Sequence, residues 1–566
     1  MAQSSTKHLT DQEIEAIMFQ SDDESELSLS NDEYLPPENQ TSSSDSSSSD
    51  DEEVNTVDPQ EVISRTSKTN IFWDSKPTLV GRTAIHNIVR QAQGAVGSPR
   101  YFSPKDVFCT FFSDNMAEEV LLCSNLEGRR IASAKNKSWK NISKEELYAY
   151  IGLLLLAGSQ KSYDVPIREL FLDPLSDPHY KATMSVDRYE EIRRHIRFDD
   201  KRTRALRFET DKLAPISYIW NIFIKNCTKL YNPSANVTVD EQLVPFRGRC
   251  KFIQYMPSKP AKYGIKIFWM CDSACYYGIN GVIYCGKEVG APAQKDLGSE
   301  IVKTLAVPIF SSGRNITMDN YFTNVELGNF LLQKHITLVG TIKANRREIP
   351  EALKHNCQRA LYESVFGFNN KATLVSYKAK KEKSVILLST MHHNCSIDSN
   401  DRKLKQEIIL YYNKTKGGVD KMDEMVGEYS CKRQTKRWPV VLFSNMLDVA
   451  ALNSFIIYTE NHPEFHARRK DRRRLFLKDL CHELVMPHMI QRSDVKGLIK
   501  QTKEAMKRCG VQFQMIPGPG ERKRKRCFMC PRNVERKTER FCSICKENVC
   551  KEHSSEKITC QNCLED

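Results

Sequence analysis

The sequence predicts an RNase H-like α/β core with a β-rich insertion, set between two helical segments and followed by a small zinc domain, with a disordered N-terminus. Three observations predict it. Residues 236–345 alternate in hydropathy as three short strands, a helix, a strand, a helix and a strand. Residues 100–235 and 430–512 place apolar side chains at helical spacing instead. Seven of the 19 cysteines fall between Cys527 and Cys563, in ligand-like pairs.

The N-terminus sets the charge pattern. Residues 1–60 hold 16 acidic side chains and one basic one, Lys7, for a local charge of −15. The whole chain carries +13, so the other 506 residues carry about +28. A body that basic points to a polyanion partner rather than a small neutral substrate. Residues 1–65 include TSSSDSSSSDDEE and cannot bury enough apolar surface to offset ordering entropy, which predicts disorder. Serines ahead of acids, such as Ser21, fit an acid-directed Ser/Thr kinase, and a purely solubilising tail fits the same composition. No signal peptide is expected from MAQSSTKHLT, and the apolar run Leu147–Ala157 is too short to span a bilayer. Twelve cysteines scattered singly between Cys109 and Cys509 read as buried thiols of a reducing compartment. Membrane and secreted readings are excluded on these grounds.

In the first helical segment, Ser143 followed by Glu145 and Glu146 predicts a capped start ahead of Leu147–Ala157. Ser185 opens another helix through Tyr189, Ile192 and Ile196. In the core, Val237–Val239 is a strand ending in Asp240. Ile265, Ile267 and Trp269 alternate along a second strand, and Gly278–Cys285 makes a third. A helix near 298–306 leads to Asn315–Met318, which ends in Asp319. A helix over 324–334 and a strand over Ile336–Ile342 complete the set. Residues 346–404 read as a β-rich insertion, and 405–429 as a helical return segment of the core. A long helix is expected over about 440–458, a basic one after Arg468, and a linker at 514–520 (QMIPGPG).

The first and fourth strands of such a core lie side by side, so Asp240 and Asp319 should be neighbours. Asp420 and Asp423 share one helix face at i, i+3. Carboxylates packed together repel unless a cation joins them. Two Mg²⁺ ions, with Mn²⁺ as a substitute, would suit phosphodiester chemistry. A strand-end Asp also serves as a turn or cap residue, and the residues alone leave that open.

The stretches VDEQLVPFRGRC (239–250), PSKPAKYGIKI (257–267), MDNYFTN (318–324), GTIKANRREIP (340–350) and YYNKTKGGVDKMDEM (411–425) resemble, in order, those of the piggyBac family of cut-and-paste DNA transposases. The resemblance runs from about residue 100 to the C-terminus. It implies that Asp240, Asp319 and Asp420 are catalytic carboxylates holding Mg²⁺, with Asp423 also needed. It further implies DNA contacts by Lys343, Arg346 and Arg347, although Lys343 stands where the family more often has Arg and so lacks bidentate phosphate contact. A solvated turn is the plainer reading of these three. The helical segments 100–235 and 430–512 would then form one dimerisation and DNA-binding domain. The partners would be transposon ends and a TTAA target, bound by a homodimer in the nucleus. The rival reading is a domesticated descendant that binds DNA or chromatin without cutting.

The C-terminal pattern is Cys527-x2-Cys530-x11-Cys542-x2-Cys545-x4-Cys550-x2-His553-x6-Cys560-x2-Cys563. Eight N/S ligands make two tetrahedral structural Zn²⁺ sites, and metal supplies most of the folding energy of so small a module. The preferred pairing is interleaved: Cys527, Cys530, Cys550 and His553 on one ion, and Cys542, Cys545, Cys560 and Cys563 on the other. Histone-reading and ubiquitin-ligase fingers have similar spacing but place the His earlier. By resemblance, residues 527–563 are the family's end-binding cysteine-rich domain. The run Arg522, Lys523, Arg524, Lys525 and Arg526 suits import receptors, DNA phosphates or plain solvation. Trp438 reads as scaffold, with stacking on an unpaired base as the alternative.

Overall fold

A computed structural model describes residues 65–77, 88–97, 103–257, 259–286, 296–354, 359–396, 404–495, 497–513, 524–531, 533–534 and 536–555. The acidic stretch 1–64, the linker 514–520, Arg522, Lys523, Cys560 and Cys563 lie outside the described residues. The chain divides into two units, Met1–His488 and Met489–Asp566.

The first unit is built on a nine-stranded mixed sheet. Its strands are β1 (Asn236–Pro245), β2 (Ile253–Tyr255), β3 (Tyr263–Asp272), β4 (Gly278–Ile283), β5 (Asn315–Met318), β6 (Thr337–Thr341), β7 (Ser364–Phe368), β8 (Thr373–Lys380) and β9 (Lys383–Ser389). The order across the sheet is β7-β8-β9-β6-β5-β1-β3-β2, with β4 also pairing β3. β1 runs antiparallel to β3 and parallel to β5, and β5 runs parallel to β6. Helices over Leu297–Ala306 and Val325–Gln333 form the crossovers on either side of β5. This mixed sheet with helices is that of a nuclease-like core.

Two features differ from the sequence expectation. β1 does not end at Asp240 but continues to Pro245, still paired with β3. What stops is its parallel pairing with β5, after Val239 opposite Met318. The strands of segment 346–404 also have partners the sequence did not name: β9 pairs antiparallel with β6, so β7, β8 and β9 extend the core sheet. Periodicity signals strands but is silent on their partners.

The helical segments are α1 (Pro104–Phe111), α2 (Asp114–Ala134), α3 (Lys144–Ser159), α4 (Val186–His195) and α5 (Ser217–Leu230), then α6 (Glu407–Thr415), α7 (Gly418–Glu428), α8 (Trp438–Asn461) and α9 (Arg472–Ser493). Three short helices lie between α3 and α5. Their starts follow local chemistry. Ser103 and Asp106 close a capping box at α1, while Ser143 and Ser185 accept the Glu146 and Arg188 N–H groups at α3 and α4.

Segments distant in sequence share one helical core. Phe443 of α8 meets Phe112 edge-on, with ring centroids 6.0 Å apart, and Phe198 at 4.6 Å. α8 is apolar all round and long enough to cross a bilayer, yet it is packed inside protein, where Asn445, Asp448 and Asn453 are buried. A helix hydrophobic on every side is either a core helix or a membrane span, and here packing decides.

Candidate active site

β1 brings the first acid. The register that sets Val239 opposite Met318 puts Asp240 and Asp319 at the next, neighbouring positions, where the two strands part. Parallel strands diverging at their C-terminal ends open a crevice between them, the usual ligand position in such sheets.

Helix α7 brings the third acid, and close packing brings α7. A Cβ at Gly418 would lie 2.5 Å from Thr238 Oγ1, so only glycine allows the helix start to lie on β1 beside Asp240. Thr238 Oγ1 donates to the Thr415 carbonyl at 2.6 Å, and Thr317 and Thr415 hydroxyls meet at 2.7 Å. These buried threonines fix α6 and α7 against β1 and β5, two residues from Asp240 and Asp319 and five from Asp420.

The electrostatics are those of crowded acids. Burial drives the Asp240 carboxyl well above the usual carboxylate range, and the charges of Glu241, Asp319 and Asp420 add to the rise. Burial and Glu241 push Asp319 up to about 6, against backbone N–H groups such as that of Tyr321, which donates to its Oδ1 at 2.9 Å. Asp423 is also raised by burial, partly offset by Gln242, whose Nε2 donates to Asp423 Oδ1 at 2.8 Å. Gln242 Oε1 in turn accepts from Trp269 Nε1 at 3.0 Å and Asn445 Nδ2 at 3.1 Å.

Sequence reasoning missed Lys259. Its Nζ lies 3.3 Å from Asp420 Oδ1 and donates to the Glu241 carbonyl at 3.3 Å. The available signal was its place in the PSKPAKYGIKI stretch, but only folding shows which acids it meets. Gln242, Glu241 and the buried Tyr412 hydroxyl, whose ionisation the same acids oppose, also belong to the surroundings. The charges of Asp319 and Asp420 reach Asp240 from neighbouring elements, and carboxylate oxygen is the donor type a hard divalent ion takes.

The basic residues are placed differently. Lys343 is half-buried just after β6, Arg346 pairs with Asp296 at 3.3 Å, and Arg347 is exposed. Trp438 meets Phe252 edge-on at 5.1 Å, a scaffold contact.

In the second unit, Cys527, Cys530, Cys550 and His553 present ligand atoms that all lie within 4.8 Å of one another. Cys530 Sγ is 3.8 Å from Cys550 Sγ, and His553 Nδ1 is 3.2 Å from Cys550 Sγ. A tetrahedron of bonds ~2.0–2.3 Å long has edges of that size, so the set fits Zn²⁺. The Cys550 N–H donates to Cys527 Sγ at 3.2 Å, stabilising a thiolate. This is the first ligand pair joined to the third. Cys542 is buried and Cys545 exposed, and their expected partners lie outside the described residues. Lys525 and Arg526 form an exposed strand against Lys537 and Thr538, and Arg524 pairs with Glu539 at 3.1 Å.

A family model described as Transposase IS4 matches residues 103–455. A solved piggyBac transposase synaptic complex with hairpin DNA matches with a TM-score of 0.72 at 36% identity, covering 84% of this chain and 100% of that one. The chain belongs to the piggyBac family of transposases. The human PiggyBac transposable element-derived protein 3 is 23% identical over 479 residues, which is 79% of this chain and 75% of the relative. The human PiggyBac transposable element-derived protein 2 is 22% identical over 384 residues, 63% of this chain and 61% of the relative. Within the family match lie Asp240, Asp319, Asp420 and Asp423, whereas the cysteine module lies beyond it.

Proposed function

We propose that the chain is a cutting transposase: it hydrolyses DNA at transposon ends, forms hairpins there, and joins the ends to TTAA targets. One observation carries this reading, the adjacency of Asp240 and Asp319 at the point where β1 and β5 part, with Asp420 delivered by α7. Asp240, Asp319 and Asp420 would hold two Mg²⁺ ions, or Mn²⁺. Bound there, such ions supply Lewis-acid stabilisation of the attacking and leaving oxygens of the phosphodiester. Gln242 orients Asp423 from the side. Water is the first nucleophile and the freed 3′-OH the second, so each strand transfer exchanges one phosphodiester for another.

The remaining parts follow from charge and packing. Lys343, Arg346, Arg347 and the basic run 522–526 suit DNA phosphates. The shared helical core is the dimerisation and DNA-binding body, and the cysteine module, holding two Zn²⁺ ions, reads transposon ends. The protein works in the nucleus, carried by import receptors that read the basic run, and a kinase acts on the acidic tail.

The test uses purified full chain, Mg²⁺ and a plasmid carrying the source element's ends flanked by TTAA. Hairpin-ended fragments on a denaturing gel are expected. Binding without nicks supports the second reading, a non-cutting DNA-binding descendant, which the names of the human transposable element-derived relatives favour.

A further inference from the structure

Lys259 lies between β2 and β3 with no acidic residue nearby in sequence. Its side chain is only 21% exposed, whereas its partner Asp420 is 60% exposed. Its Nζ touches Asp420 Oδ1 and the Glu241 carbonyl at 3.3 Å each. This internal cation therefore offsets the repulsion among acids of β1 and α7, while Lys266, 3.9 Å from Glu241 Oε2, faces the Asp319 side.

Resting on the transposase reading, we propose that Lys259 is the resident counter-ion of the carboxylate site, and that a divalent cation enters only as the ammonium leaves Asp420. An ammonium and a divalent ion drawn to the same carboxylate repel each other, so each weakens the other's hold. Such competition is reciprocal: metal binding loosens Lys259, and removing Lys259 tightens metal binding by the same factor. Lys259 is thus a positioning residue. It keeps buried acids neutralised and α7 seated on β1 until the ion arrives.

The experiment titrates Mn²⁺ into the full-length, zinc-loaded protein without DNA, reading free Mn²⁺ by electron paramagnetic resonance. Asp240→Asn/Asp319→Asn defines the background. Lys259→Met should bind Mn²⁺ roughly 5-fold more tightly or better, a coupling of ordinary size, while Lys259→Arg stays near the wild type. Equal or weaker binding by Lys259→Met overturns the proposal and leaves the carboxylates as a metal site. Mn²⁺ binding that the double Asn variant retains in full, or no binding by any form, overturns both. A measurement on the wild type guards against a misfolded variant: amine acylation read by mass spectrometry. Mn²⁺ should raise Lys259 labelling several-fold, and unchanged labelling contradicts the displacement.

Discussion

Gln242 donates from Nε2 to Asp423 Oδ1 at 2.8 Å, two residues along β1 from Asp240. Through its other atom, Gln242 also holds Trp269 of β3 and Asn445 of α8. One fully buried amide thus ties the sheet, the acid-bearing helix and the central helix together. Gln242→Leu keeps the volume but leaves the Trp269 indole N–H and an Asn445 donor without this partner. Each buried orphan costs about 1–3 kcal/mol. The unfolding free energy from urea titration should fall by an amount of that order, and an unchanged value would show that the network contributes no stability.

The pH dependence of stability should carry the mark of Asp448. It is buried in α8, and burial pushes it up to about 7 although the Cys431 N–H and the Ser430 hydroxyl donate to it. Its folded pKa therefore lies above its unfolded value, so folding favours the protonated form. The stabilising contribution is full below about pH 4 and is lost as pH rises toward about 7. Asp448→Asn should flatten the melting temperature between those limits, with the largest gain at the alkaline end. A gain that is equal at pH 4 and pH 8 would contradict a titrating Asp448.

Much of this was legible in the sequence, for reasons that particular residues show. Alternation marks Ile265, Ile267 and Trp269 as one buried face, and Ser143 and Ser185 carry their caps locally. One Cys/His cluster was legible because spacing itself is the constraint: Cys527, Cys530, Cys550 and His553 converge as their intervals suggest. The full length of β1 was not, because Asp240 and Glu241 interrupt the apolar pattern at the point where the site needs charge. Pairing of β9 with β6 and the reach of Lys259 to Asp420 are long-range facts with no local signature. Helix α8 reads the same as a membrane span until its neighbours are known.

The zinc module should unfold when its metal is removed. Chelation, or Cys530→Ser, removes the main source of order between residues 527 and 553. Limited proteolysis should then cut inside that module while the first unit keeps its own thermal transition. Resistance of the module to protease in chelator would contradict a structural metal.

DNA affinity should fall steeply with salt, since the chain beyond residue 60 carries about +28. Each neutralised phosphate adds about −0.9 to the slope of log K against log salt. A slope near zero would point away from a phosphate-tracking surface.

The central claim is that Asp240, Asp319 and Asp420 act together as one metal-holding site. Cleavage and binding of end DNA by Asp240→Asn, Asp319→Asn and Asp420→Asn, measured side by side with Mg²⁺, test it most directly. Asn keeps the size and the hydrogen bonds, including acceptance from the Glu241 and Tyr321 N–H groups at the first two positions. It removes only the charge. The account predicts that each variant binds end DNA as the wild type does and yields no nicked or hairpin product. Nicking retained by any one of the three would remove that residue from the site and contradict the account.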